Sequence, residues 1–416
     1  MPEAEKLVEH FFRHESGRLV ARLTASFGTR HLGLIEDVVQ TALLRALSSW
    51  SLRGILPDPS AWLAKVARNL AIDRLRRDLR WNSLDAQAPV EVNDWHDSFD
   101  AAEQEIDDAL LRMLFVCCDE AVPAESQIAL ALRTLCGFDV REISRALLTS
   151  EANVAKRITR AKEKFRTTNV NPTALTPTMI RQRLPSVLSA VYLLFNEGYS
   201  STLADRLIRH DLCEEAIRLA LLTAEHPLTA GAETAALVAL LLFHASRLEA
   251  RLDDAGSVLL LEEQDRTRWD AALIAEGFRW FSKAAAGDEV TRYHAEAWIS
   301  AEHCRAASFR DTDWNRIIRA YDLLVRLAPS PIHELSRAIA IAERDGPDAG
   351  WEALQAIDAG RLPEQYHLWA ATAGELARRR GRIDDARRFL IQTQRIAPTN
   401  AERELLQRRL ELLQAQ

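Results

Sequence analysis

The chain has 416 residues, of which 48% are hydrophobic and 27% are charged, a globular balance that excludes wholesale disorder and indicates several domains. No apolar run follows a basic segment near the N-terminus, and the longest apolar stretch, residues 235–245, is about half the length of a membrane span. Five cysteines without metal-type spacing suit a reducing compartment. We therefore expect a cytoplasmic protein with no membrane partner, no metal and no cofactor.

Apolar residues recur at every third or fourth position along most of the chain, which is the spacing of one face of a helix. Near the N-terminus these positions are Leu7, Phe11, Leu19, Leu23 and Phe27. Alternating patterns typical of strands are scarce, and short segments with Gly or Pro separate the helical stretches. The sequence therefore predicts an all-α protein.

The overall charge of −7 does not suggest a nucleic-acid-binding protein, but the charge is unevenly distributed. Residues 61–80 contain six basic and two acidic side chains, and residues 139–166 contain eight basic and four acidic ones. Between them, residues 83–108 contain nine acidic side chains and no Lys or Arg. Two basic segments joined by an acidic one indicate two DNA contacts on a flexible connection.

These patterns divide the chain into segments. We predict a helical domain at residues 1–82, an acidic linker at 83–104 and a second small helical domain at 105–168. A second linker at 169–178 is polar and contains two prolines. The remainder, residues 179–416, is predicted to be one long helical extension.

The end of the extension is repetitive, most clearly over residues 300–416. Three prolines are 34 and 35 residues apart, and two glycines that lie between helical patterns are 35 apart. These residues are Pro329, Pro363, Pro398, Gly346 and Gly381. A period of about 34 residues with paired helices is typical of tetratricopeptide (TPR) repeats, which offer concave surfaces to partners. An unrelated helical bundle is the alternative.

The second domain contains the clearest local motif. Residues 140–147 predict a short amphipathic helix, residues 148–150 a turn, and residues 151–165 a second helix. This is helix-turn-helix geometry, in which the second helix enters the DNA major groove. The second helix is predicted to turn Val154, Ile158, Ala161 and Phe165 inward. Its outward side carries the candidate DNA-reading residues Asn153, Lys156, Arg157 and Arg160. An ordinary helical hairpin with a solvated basic face is the alternative.

The first domain contains a second group of candidate residues. Glu36, Asp37 and Gln40 lie near the start of a helix that continues to residue 50. After a loop, residues 62–77 predict a basic amphipathic helix that can turn a cationic face to a phosphate backbone. The residues on that face are Arg68, Asn69, Arg76 and Arg77.

At this point the chain resembles a known family. An acidic-Gln helix, a Trp-led VARNLAIDRLRR helix, an acidic linker and a helix-turn-helix follow one another as in the sigma-70 family of RNA polymerase sigma factors, over about residues 5–168. The compact form is similar to the extracytoplasmic-function (ECF) branch, which keeps only regions two and four. The string LFNEGYS at residues 194–200, followed by a TPR-like tail, is similar to the extension of one ECF subgroup.

The resemblance implies roles for the candidate residues. The helix with Glu36, Asp37 and Gln40 would dock on the clamp helices of the polymerase β′ subunit, and region four would approach the β flap. The basic helix of the first domain would recognise and help to melt the −10 promoter element. The residues expected there are Lys65, Arg68, Asn69, Arg74, Arg76 and Arg77. The −35 element would be read by Asn153, Lys156, Arg157 and Arg160.

The resemblance leaves the role of the extension open. We expect it to regulate or support the sigma core, through a protein partner or an intramolecular contact. Asn196, Glu197 and Tyr199 of the LFNEGYS string are candidate regulatory residues, and a plain turn role for Glu197 is the alternative.

Two other functions compete with the sigma-factor interpretation. The first is a stand-alone helix-turn-helix transcription regulator with a TPR sensor domain, which would bind promoter DNA without polymerase. The second is an enzyme built on the extension, which would need a polar pocket near Glu197. The sequence contains no phosphate-binding glycine loop, nucleophile elbow or zinc spacing, so we expect no enzyme activity.

Overall fold

The computed structural model describes residues 3–54, 56–82, 106, 108–168, 170–171, 174–201, 208–254, 256–358, 360, 362 and 366–414. The predicted acidic linker at 83–104 lies outside these residues, and so does Pro363.

The described residues form eighteen α-helices and no strand, which confirms the predicted all-α class. No helix in these ranges is long and apolar enough to cross a membrane. The helices of the first half are α1 (Glu3–Phe27), α2 (Leu32–Arg53), α3 (Pro59–Asn82), α4 (Ala109–Cys117), α5 (Ala124–Thr134), α6 (Val140–Ala146), α7 (Glu151–Thr168), α8 (Pro177–Tyr199) and α9 (His210–Glu225). Those of the second half are α10 (Ala232–Ala245), α11 (Ala271–Ala284), α12 (Arg292–Arg305), α13 (Trp314–Leu327), α14 (Pro331–Asp345), α15 (Pro347–Gln355), α16 (Leu368–Arg379), α17 (Ile383–Ile396) and α18 (Asn400–Gln414).

The chain separates into two compact units. Unit one consists of residues 1–194 and 226–229, and unit two of residues 195–225 and 230–416. The division falls within α8, downstream of the linker that the sequence predicts at 169–178.

The first three helices of unit one form a small bundle around an apolar stripe on α3. Leu63, Ala67, Ala71 and Leu75 are buried, and they recur at intervals of four residues. Because residues four apart lie on one face of a helix, this stripe turns a single side of α3 toward α2. The opposite side of α3 is left to polar and cationic residues.

The helix-turn-helix is formed by α6 and α7. Asp139 begins α6 with a capping box: its carboxylate accepts from the Glu142 backbone N–H at 2.7 Å, and the Glu142 carboxylate accepts from the Asp139 N–H at 2.6 Å. The turn passes through Leu148, a non-glycine residue with a φ of 49°. The predicted inward set on α7 is confirmed, since Val154, Ile158, Ala161 and Phe165 are all buried.

Helix α1 packs closely against the second group of helices within unit one. A Cβ on Gly17 would lie 2.1 Å from the carbonyl oxygen of Leu135, closer than any non-bonded contact allows. The hydroxyl of Thr29 donates to the carbonyl oxygen of Val170 at 2.6 Å. The two predicted DNA-contacting domains are therefore packed together in this structure.

The start of α8 is tied to the second domain by a buried arginine. Arg183, 4% exposed, donates to the carbonyl oxygen of Phe115 at 3.1 Å and forms an ion pair with Asp119. Removing one partner of such a buried pair leaves an uncompensated charge, which typically costs about 3–5 kcal/mol. The first helix of the extension is thus part of the fold of the second domain.

In unit two, the helices α12–α18 each pack on the next in chain order. Gly346 joins α14 to α15 and Gly381 joins α16 to α17, with φ values of 94° and 75° that favour glycine. Both glycines therefore lie between paired helices, as their spacing predicts. Within the first pair, a Cβ on Gly350 would lie 2.3 Å from the Cβ of Ala342. Small residues let these helices approach closely.

We expect Gly17→Ala to destabilise unit one by about 1–3 kcal/mol, because the added methyl group overlaps the Leu135 carbonyl and must displace backbone. The measurement is the free energy of unfolding of the full chain in urea. The matched control is Gly33→Ala on α2, where nothing lies within 4 Å of the new methyl group and stability should stay unchanged or rise by about 1 kcal/mol. Equal stability of the two variants would contradict the packing of α1.

Candidate nucleic-acid interface

The outer face of α7 carries most of the residues predicted to read DNA. Asn153, Lys156 and Arg160 are exposed, while the apolar face of the helix is buried. The amide nitrogen of Asn153 donates to the Thr149 hydroxyl at 3.3 Å. Asn and Arg side chains can form paired hydrogen bonds with base edges, and Lys suits phosphate.

Arg157 differs from its three neighbours on α7. Its guanidinium forms an ion pair with Glu125 at the start of α5, and the Arg157 side chain is only 24% exposed. A base contact by Arg157 therefore requires release from this carboxylate. The local sequence of α7 gives no sign of this pairing, because Glu125 lies 32 residues earlier.

The residues predicted to contact the −10 element share the outer side of α3, with one exception. Lys65, Asn69, Arg74, Arg76 and Arg77 are exposed. Arg68 is half-buried, and its Nε is enclosed without a hydrogen-bond partner in the described part of the chain. The structure thus brings five of the six predicted residues to the surface and places Arg68 partly inside the bundle.

Asp37 and two of the α3 arginines border the same cleft. The cleft lies between α2 and α3, has a volume of about 420 Å³ and is lined by Asp37, Arg74 and Arg77. The Nε of Arg77 also donates to the Asp73 carbonyl oxygen at 3.2 Å. One residue predicted to bind polymerase therefore lies beside two predicted to bind DNA.

Glu36, which is also predicted to bind polymerase, already has partners within unit one. Its carboxylate accepts from the Thr134 hydroxyl at 2.8 Å and forms an ion pair with Lys162 of α7. The Glu36 side chain is 19% exposed, whereas Asp37 and Gln40 are exposed. Sequence reasoning missed Lys162 and Thr134, because they lie 126 and 98 residues from Glu36 and no spacing rule connects them.

In unit two, Glu197 of the LFNEGYS string is 4% exposed. Its carboxylate forms an ion pair with the buried Arg209 at 3.3 Å and accepts from the Ser201 hydroxyl at 3.0 Å. Glu197 thus pairs with at least two side chains of unit two. Arg209 was not identified from the sequence, although it lies only 12 residues away.

Tyr199 lies among cations, and Asn196 is half-buried nearby on the same helix. The Tyr199 hydroxyl accepts from Arg247 at 2.5 Å, and the Arg251 guanidinium lies 3.8 Å from the centroid of its ring. His244 meets the ring edge-on at 5.1 Å. Burial, together with Arg247 and Arg251, holds the pKa of His244 well below its usual value, so this imidazole stays neutral.

Comparison with known proteins divides the chain into three parts. The family model "Sigma-70 region 2" matches residues 13–81, which include α2 and α3. The model "Sigma-70, region 4" matches residues 112–165, which include α6 and most of α7. A third model, "Family of unknown function (DUF6596)", matches residues 183–285. The two sigma matches thus cover the helices that carry the candidate DNA-contacting residues.

A relative matches nearly the whole chain. "Uncharacterized protein R00370" from Rhizobium meliloti (strain 1021) is 38% identical over 393 residues, which cover 93% of this chain and 92% of that protein. No solved structure matches the chain. Sigma regions two and four match in the expected order, and the structure turns the cationic faces of their helices outward. This chain therefore belongs to the sigma-70 family of transcription initiation factors.

Proposed function

We propose that the chain is an ECF-type sigma factor that binds core RNA polymerase, recognises the −10 and −35 promoter elements and initiates transcription in the cytoplasm. The observation that carries this proposal is the shared design of α3 and α7. Each helix buries one apolar stripe and exposes a row of cationic and amide side chains. Both helices lie in the matched sigma regions.

Recognition of the −35 element is assigned to α7. Lys156 and Arg160 are exposed and can reach phosphate or guanine, and Asn153 suits adenine. Arg157 would join them after leaving Glu125. DNA phosphates compete well for a guanidinium held by a carboxylate that is itself 72% exposed, because an exposed ion pair contributes only about 0–1 kcal/mol.

Recognition and melting of the −10 element are assigned to α3. Opening DNA requires a basic track along which unstacked single strands can lie. Lys65, Asn69, Arg74, Arg76 and Arg77 are exposed along one helix and form such a track. Arg68 is half-buried, so we assign it to holding α3 in place beneath this track.

Polymerase binding is assigned to the face of α2 with Glu36, Asp37 and Gln40. Asp37 and Gln40 are accessible, but Glu36 is held by Lys162 and Thr134. We infer that docking on the polymerase clamp helices exchanges this internal ion pair for contacts with β′, which separates α2 from α7. Separation of the two regions also allows them to span two promoter elements at once.

The extension is assigned a regulatory or supporting role. Its TPR-like helix pairs provide a surface for a protein partner, and α8 is attached to the second domain through Arg183. Asn196, Glu197 and Tyr199 lie at the end of that same helix. Glu197 bonds to Arg209 and Tyr199 bonds to Arg247. We assign regulation to a rearrangement of these contacts.

The direct test is promoter-specific transcription by purified core polymerase with the full chain added, compared with core polymerase alone. We expect transcripts that start at one position and depend on the added chain. A chain that binds promoter DNA tightly by itself and yields no transcript with core polymerase would instead be a stand-alone regulator. Truncation at residue 168 is unsuitable, because it removes Arg183 and leaves Asp119 unpaired in the second domain.

We expect Lys156→Ala and Arg160→Ala each to weaken promoter binding of the holoenzyme. If the lost contact is to phosphate, the affinity falls by a similar factor on different −35 sequences. The slope of log K against log salt concentration then decreases in magnitude by about 1. If it is to a base, discrimination at one position falls by about 1–3 kcal/mol. The measurement is binding to −35 variants at several salt concentrations.

The matched control for these variants is Arg181→Ala, an exposed arginine on α8 that lies outside both sigma matches. It should leave the affinity and the salt slope unchanged. Equal effects of all three substitutions would show that overall charge, and not the α7 face, determines binding.

We expect Lys162→Met to raise the affinity of the free chain for core polymerase by up to about fivefold, because a partly exposed ion pair contributes about 0.2–1 kcal/mol to the packed form. The measurement is polymerase binding in the absence of DNA. The control is Lys164→Met, an exposed lysine on the same helix, which should change nothing. Unchanged or weaker binding by Lys162→Met would refute the competition at Glu36.

A further inference from the structure

Unit two contains a cleft of about 580 Å³, within the size range of small-molecule sites. Helices α13, α14, α16 and α18 line it on one side. On another side it is bordered by residues 260–262, which belong to a strap between α10 and α11 that contains two short 3-10 helices. The strap is fixed near this point, since Arg408 of α18 donates to the carbonyl oxygen of Val258 at 3.0 Å.

Aromatic and apolar side chains form much of the lining. Four half-buried aromatic residues contribute: Phe309, Trp314, Tyr321 and Tyr366. Large aliphatic side chains of the lining remain open to solvent, with Ile339 40% exposed and Leu368 44% exposed. Burial raises the pKa of both Tyr321 and Tyr366 to about 12, so their rings carry no charge at neutral pH.

Three arginines and three glutamates line the cleft, and Glu262 is the one of these six that forms no ion pair with a described residue. Arg379 pairs with Glu343, and both Arg378 and Arg409 pair with Glu375. Glu262, on the strap, makes no ion pair or hydrogen bond with any described residue. Partial burial and the nearby charges of Glu375, Glu343 and Glu263 raise the pKa of Glu262, against the opposing charge of Arg409.

We propose that this cleft binds a small organic cation, an amine or quaternary ammonium compound with an apolar or aromatic body. Aromatic ring faces attract cations through their quadrupole, and a single unpaired carboxylate supplies the counter-charge. The exposed Ile339 and Leu368 receive the apolar body. Each arginine of the lining contacts a carboxylate, with Arg378 and Arg409 sharing Glu375, whereas Glu262 has no bonded cation, so the cleft offers a direct partner to a cation and none to an anion.

This inference goes beyond the proposed sigma function, since it needs neither polymerase nor DNA. A ligand at this site would contact α14, α16 and α18 together with the strap, and would thereby fix the relative positions of several helix pairs. The extension would then act as a sensor of a cationic metabolite.

The test uses benzyltrimethylammonium as the probe and isothermal titration calorimetry on the full chain. Benzyl alcohol and benzoate serve as neutral and anionic analogues with the same ring. We expect the cation to bind with a dissociation constant in the millimolar range or tighter, and both analogues to bind more weakly. Absence of binding by the cation, or binding no stronger than that of the analogues, would overturn the proposal.

The residue-level test is Glu262→Gln, which removes the charge and keeps the shape of an exposed side chain. We expect affinity for the cation to fall about fivefold or more. The matched control is Glu263→Gln on the same strap: Glu263 accepts from the Leu260 N–H at 2.7 Å and does not line the cleft, and glutamine retains an acceptor oxygen. Equal affinities of Glu262→Gln and the unmodified chain would overturn the proposal. Thermal unfolding of each variant verifies that the fold is intact.

Discussion

The structure of unit one depends on the burial of a narrow apolar stripe on each of two helices. On α7 the stripe recurs at intervals of three or four residues, and on α3 at intervals of four. A helix with one buried stripe must expose its other side to solvent. Lysine, arginine and asparagine occupy that side on both helices because their charged or polar ends are costly to bury. Packing of the core therefore orients the surfaces assigned to DNA.

Within the same unit, the two regions that we assign to DNA contact pack against each other. Gly17 allows α1 to approach the Leu135 carbonyl, and Glu36 joins α2 to α7 through Lys162. The first contact is steric and is part of a packed interface. The second is a partly exposed ion pair, which contributes little free energy and is easily exchanged. Such a contact is consistent with our proposal that polymerase docking releases α2 from α7.

The extension contributes to both units in different ways. Its first helix is joined to the second domain by the buried pair of Arg183 and Asp119, and loss of either partner would leave a buried charge uncompensated. Farther along, successive helix pairs leave a cleft whose lining combines aromatic rings with one unpaired carboxylate, Glu262. This cleft is the site that we propose for a small organic cation.

The sequence by itself determined the all-α class, the helix-turn-helix and the inward positions on α7, since helical periodicity and turn residues are local signals. It also placed Gly346 and Gly381 between paired helices. Only the tertiary structure decided that Arg68 is half-buried, that Arg157 is held by Glu125, and that Glu36 meets Lys162. Those contacts join residues that are far apart in the chain, and their partners are selected by how whole helices pack, which no local spacing encodes.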